Sequence, residues 1–83
     1  MKSDESKVDQ VAFGKAVRKY RLEARLSQEK LAALAGLHRN YMGTVERGQE
    51  NISLVGIFRI CQALNITMRQ LANEMEKHQV VQK

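Results

Sequence analysis

SQEKLAALAGLHRNYMGTVERG, residues Ser27–Gly48, carries two helix starts and two helix stops in quick succession. Ser27 reads as an N-cap, because its hydroxyl can accept from a backbone N–H that the first turn leaves unpaired. The following Gln28-Glu29 place polar and acidic groups at the positive end of the helix. Apolar spacing then predicts a helix over about Gln28–Ala35 with Leu31, Ala32 and Ala35 on its inner face. Gly36 stops it, since glycine adopts the left-handed conformation at no Cβ cost. Leu37 plugs the corner, and a second helix begins at His38 or Arg39 and runs to about Arg47, where Gly48 is another stop. Met42 and Val45 face inward on it with Glu46 beside them, and His38 reads as a cap or surface residue.

Outward from this pair the helical period continues and alternating strand patterns are almost absent. Upstream, a helix over about Val11–Arg25 sets Phe13, Val17, Tyr20, Arg21 and Ala24 on one face, and Leu26 returns the chain to the core. Downstream of the polar loop Gln49–Ile52, Ser53 caps a helix whose Leu54, Ile57, Phe58, Ile60, Cys61 and Leu64 form a broad apolar stripe closed by Asn65. Thr67 with Gln70 three residues on is a capping box that opens a fifth helix through Leu71 and Met75 towards His78. The expectation is an all-α, compact five-helix bundle: residues 1–10 a flexible lead-in, 11–79 the folded domain, 80–83 a tail.

An 83-residue chain makes one domain with a small core, which favours self-association, and the fifth helix, with Leu71, Met75 and the Val80-Val81 end, is expected both to close the core and to form a two-fold dimer contact. Cys61 alone cannot bridge, and with only His38 and His78 beside it there is no zinc set, so no metal or cofactor is expected. No run approaches the roughly 20 apolar residues of a membrane span, and no secretory leader opens the chain, so a cytoplasmic protein without a membrane partner is expected. No nucleophile elbow, paired-carboxylate site or phosphate-cradling glycine loop argues for an enzyme. The net charge of +5 suits a polyanion. Residues 1–26 carry seven Lys/Arg against four Asp/Glu, 27–52 three against three, and 53–83 four against two. Flanking charge can therefore hold phosphates while a near-neutral middle reads bases. Lys15, Arg18, Lys19 and Arg25 form a basic set that either steers DNA or merely solubilises the domain.

Two short helices joined by a tight glycine turn match the helix-turn-helix layout, in which the second helix enters the major groove. The stretch Ser27–Gly48 resembles the Cro and phage-repressor, or XRE-type, helix-turn-helix family, over about Phe13–Leu71. Within it, GLHRNYMGTVERGQENISL is most similar to the controller proteins of restriction-modification systems. The resemblance implies a lambda-repressor-like fold and a sequence-specific double-stranded DNA-binding transcriptional regulator, acting as a homodimer on a roughly palindromic operator. It implies base contacts from Arg39, Asn40 and Thr44, and a phosphate contact from Gln28. Tyr41 and Arg47 at the margins of that surface, with Asn51 and Ser53 at the start of the fourth helix, are further phosphate candidates. Arg21 and Glu46 match a structural salt bridge between the first and third helices. Gly43 departs from the pattern, where serine or a larger polar residue is common, at about 1 kcal/mol against alanine. It either admits the backbone close to DNA or has no consequence. RNA polymerase is the further partner that activation would require. The alternative is a helix-turn-helix module used mainly for protein interaction, such as an antitoxin, against which the polar outer face of the third helix argues.

Overall fold

The computed structural model describes residues 3–79. It holds five helices, α1 (Ser3–Glu23), α2 (Gln28–Ala35), α3 (Arg39–Glu46), α4 (Leu54–Leu64) and α5 (Met68–His78), and no strand among the described residues. Ser27, Ser53 and Thr67 cap as expected, accepting from the N–H groups of Lys30, Gly56 and Gln70, and Thr67 with Gln70 completes the capping box. His38 caps α3 through its ring nitrogen, which accepts from the Asn40 N–H at 3.2 Å.

The helix ends share one device. At Gly36 (φ 70°) the Gly36 N–H donates to Ala33 O and the Leu37 N–H to Ala32 O, the paired bonds of a Schellman motif. The same pairing recurs at Gly48 and Asn65, and also at Arg25, whose φ of 60° is unusual for a residue with a Cβ. That motif ends α1 at Glu23, earlier than the apolar spacing suggests. At its other end α1 begins at Ser3, so 3–10 are helical where a flexible lead-in is expected from their polarity. The reason is tertiary: α1 lies along α5, and the Gln79 amide donates to Asp9 at 3.0 Å, giving these polar turns a support their own sequence does not announce. The expected tail at 80–83 lies outside the described residues.

The core is contributed by every helix: Ala12, Phe13, Ala16 and Val17 of α1, Leu31, Ala32 and Ala35 of α2, Met42 and Val45 of α3, Ile60, Cys61 and Leu64 of α4, and Leu71 of α5. Burying a Leu or Ile side chain contributes roughly 1.5–3 kcal/mol. Gly14 is where α1 meets the end of α3, for a Cβ there would lie 2.7 Å from Glu46 O and against Val45 O, both backbone atoms that cannot yield. Leu71, expected at a dimer contact, is 2% exposed and belongs to this core, so it has no surface to offer a partner. Met75 is half-buried against the core, beside Ile57 in the wall of a shallow cavity of about 360 Å³. No helix among the described residues is long and apolar enough to cross a membrane.

A buried carboxylate locks α5 to α1. The Glu74 side chain, 5% exposed, receives His78 Nε2 at 2.9 Å, Lys19 Nζ at 3.3 Å and Lys77 Nζ at 3.5 Å. Burial pushes its carboxyl up, but the hydrogen bonds to His78 and Lys19 and the charges of Lys19 and Lys77 outweigh it and hold the group below its ordinary value. A lowered folded-state value means that this group's stabilisation is present above the unfolded value and is lost as pH falls through the folded one. Glu74→Gln is therefore expected to be less stable than the parent at neutral pH, with the gap closing below about pH 4. Urea midpoints measured across pH check this, and a gap that stays constant into acid would refute it.

Candidate nucleic-acid interface

The seating of α3 decides what it displays. Met42 and Val45 are fully buried, and Ala32 and Ala35 of α2 are small enough to let the two helices touch. With that face committed, Arg39, Asn40 and Arg47 stand exposed and Thr44 half-exposed on the outer side. The three residues expected to read bases are thus brought to one surface of a rigidly packed helix.

Each has a definite local state. Arg39 Nη1 donates to Glu29 Oε2 at 2.6 Å, both side chains 67% exposed. A pair so open to water is worth about 0–1 kcal/mol, so the guanidinium can be exchanged onto a base edge at little cost. The Thr44 hydroxyl donates to Tyr41 O at 2.7 Å, which spends its proton and leaves an acceptor oxygen and a methyl group, the latter suited to a thymine methyl. Asn40 keeps an exposed amide, the side chain that bonds adenine in bidentate fashion.

The residues expected to contact phosphates differ in which of their polar atoms are already engaged. Burial, and secondarily the charge of Glu50, pushes the Tyr41 phenol up, keeping it an O–H donor. Arg47 is exposed, its Nε donating to Gln49 Oε1 at 3.1 Å. Asn51 is exposed, and Ser53 spends one lone pair on the Gly56 N–H, leaving its hydroxyl proton free to donate. Gln28 is half-buried and turned partly inward, with Nε2 donating to Glu46 Oε1 at 3.0 Å. The second hydrogen on that nitrogen remains for an anion at the start of α2.

Beneath this surface lies the Arg21–Glu46 pair. Arg21 Nε donates to Glu46 Oε2 at 2.6 Å and Nη2 to Oε1 at 2.9 Å, with side chains 9% and 3% exposed, and Nη1 donates to Leu26 O at 2.8 Å. The pair is bidentate and buried, joining α1 to the end of α3. Of the basic set on α1, Lys15, Arg18 and Arg25 are exposed, whereas Lys19 is engaged with Glu23 and Glu74.

Three features lie outside the sequence expectations, the first two beyond its reach. The Glu29–Arg39 and Gln28–Glu46 contacts join residues 10 and 18 apart, at distances fixed only by how α2 meets α3. The third is apolar: Leu54 (62%), Val55 (59%) and Phe58 (47%) of α4 are exposed. Their departure from a single core-facing stripe was detectable on a helical wheel, where 54, 55 and 58 share an arc that 60, 61 and 64 do not.

Comparison with known proteins bears on the family and the fold. The helix-turn-helix family model matches residues 17–79. The chain is 46% identical over 55 residues to the control protein C.SmaI of Serratia marcescens, covering 66% of each protein, and 40% identical over 68 residues to C.MunI of a Mycoplasma species, covering 81% of this chain and 92% of that one. The crystal structure of the restriction-modification controller protein C.AhdI from Aeromonas hydrophila superposes with a TM-score of 0.74 at 52% identity, over 76% of this chain and 96% of that one. With the family model spanning most of the domain and the recognition helix seated as described, the chain belongs to the XRE-type helix-turn-helix family of DNA-binding transcriptional regulators.

Proposed function

We propose that this regulator binds a roughly palindromic operator as a homodimer and serves as the controller of a restriction-modification system. The observation that carries the reading is the outer face of α3, where Arg39, Asn40 and Thr44 stand together on a helix whose inner face is locked into the core. Arg39 bonds guanine, Asn40 adenine, and Thr44 offers its methyl to thymine. Gln28, Tyr41, Arg47, Asn51 and Ser53 hold phosphates on either side and set the register. Likeness to C.SmaI, C.MunI and C.AhdI supports the controller role.

A second copy is the partner that the apolar face of α4 fits. Leu54, Val55 and Phe58 are large, adjacent and exposed on a chain whose own core is complete without them. Paired about a two-fold axis, two recognition helices would meet half-sites about 34 Å apart. Where this complex touches RNA polymerase depends on operator position. Footprinting on the DNA flanking the chain's own coding region tests the proposal: a protected site with two-fold symmetry beside a promoter is expected, and protection without symmetry or sequence preference would overturn it.

Arg39→Ala is expected to lose discrimination at one base pair of each half-site, costing roughly 1–3 kcal/mol there. Affinity for random DNA should change little. Competition between the operator and single-base variants measures this, and an equal loss on operator and random DNA would assign Arg39 to the backbone instead.

A further inference from the structure

Gly43 lies in the middle of α3, where the backbone is ordinary right-handed helix and nothing conformational calls for glycine. Space does. A Cβ at this position would sit 3.2 Å from Arg47 Nη1, 4.0 Å from Arg47 Cζ and 3.6 Å from Gln28 Oε1. Gly43 is buried although Arg47 beside it is exposed, so the arginine's guanidinium forms part of the cover over a slot that the missing side chain leaves open.

One wall of the slot is tied to the buried pair. Glu46 Oε1 accepts from both Arg21 Nη2 and Gln28 Nε2, which forces the Gln28 nitrogen towards the buried carboxylate. With its nitrogen so assigned, the Gln28 amide presents its oxygen on the Gly43 side. On the far side, Gln49 Oε1 accepts from Arg47 Nε. Arg47 Nε is thus held by Gln49 Oε1, its Nη1 and the Gln28 oxygen both border the space over Gly43, and among the described residues its terminal nitrogens have no hydrogen-bond acceptor. Those nitrogens are the ones a phosphate would take.

We infer that Gly43 is a positioning residue for DNA binding: its missing side chain seats the Arg47 guanidinium against the recognition helix, ready to meet a backbone phosphate. The inference rests on the reading of Arg47 as a phosphate contact. An arginine already ordered loses less side-chain freedom on binding than one that roams. Glycine's poor helix propensity is the cost of that ordering.

The test is a double-variant cycle on Gly43→Val, Arg47→Ala and their combination. Thermal midpoints and far-ultraviolet circular dichroism establish folding, and affinity for a random-sequence DNA duplex is titrated over a range of salt. Gly43→Ala is the milder second variant, which raises helix propensity while intruding only slightly on the slot. Arg47→Ala is expected to weaken binding and to reduce the salt slope by about one. Gly43→Val should weaken binding about 2- to 12-fold in the parent, the ordering cost of one long side chain, and not at all when Arg47 is already alanine. Gly43→Ala should fold at least as stably as the parent and bind DNA more weakly. If Gly43→Val weakens binding equally in both backgrounds, or both Gly43 variants bind as the parent does, the slot has no positioning role and the inference falls. If Arg47→Ala leaves affinity and slope unchanged, the phosphate contact itself is wrong and the slot goes with it.

Discussion

Glu46→Ala is expected to cost about 3–5 kcal/mol of folding stability. The cost arises less from the attraction lost than from the charge left behind. Arg21, 8% exposed, would keep its positive charge in a nearly dry site with only the Leu26 carbonyl to answer it, and Gln28 would lose its acceptor as well. A small domain holds about 5–15 kcal/mol in all, so this variant would be near the edge of folding. At about 4–8 °C per kcal/mol for a domain of this size, the thermal midpoint should fall roughly 12–40 °C. A companion variant separates the two contributions. Replacing both partners by apolar side chains of similar length, Arg21→Met with Glu46→Leu, removes the stranded charge and should recover most of the loss. Recovery should stay incomplete, because Leu26 O and Gln28 Nε2 still lose their partners. Calorimetry or urea unfolding of the parent and both variants decides the matter, and a loss below about 1 kcal/mol for Glu46→Ala would mean that the pair behaves as an exposed one.

What could be read from the residues divides along a physical line. Ser27, Gly36, Ser53 and the Thr67–Gln70 box act within a few positions of themselves, so the limits of α2, the start of α4 and the start of α5 followed directly from local chemistry. The outer face of α3 followed too, because burying Met42 and Val45 leaves Arg39 and Asn40 no other side. The extent of α1 did not follow. Ser3–Gln10 is polar and carries no apolar period of its own, and its helix depends on a neighbour, α5, that lies far along the chain. Glu74 is the same kind of case: on its own helix it reads as a solvated acid, and only the arrival of Lys19 from α1 makes it a buried junction. Leu71, expected both to close the core and to meet a second copy, is taken up wholly by the core. Its spacing with Met75 shows an apolar face, but an apolar face does not say whether it meets its own chain or another, and here α1 and the core claim it.

Phe58→Glu is expected to abolish dimerisation and to weaken operator binding about 100- to 10,000-fold while leaving the protomer folded. Folding should survive because the Phe58 side chain is 47% exposed, one helical turn from Leu54 at 62%, so neither is needed to fill the core. Dimerisation should not survive, since a two-fold interface brings the same patch of each copy together and the substitution plants two carboxylates where apolar surface is to be buried. The size of the DNA effect comes from linkage rather than from any lost base contact. In a dimer, one recognition helix that has found its half-site holds the second at high effective concentration over the other, and separate protomers have no such advantage. Sedimentation or light scattering reports the assembly, and binding to a duplex with one half-site should remain close to that of the parent's protomer. If the variant stays dimeric, the two copies meet through some other face; if it is monomeric and still binds the full operator with parental affinity, the two recognition helices are not acting together. A monomer with intact half-site binding and a collapsed operator affinity would tie Leu54, Val55 and Phe58 to operator recognition at a surface that touches no DNA, because α4 would then be what sets the distance between two copies of α3.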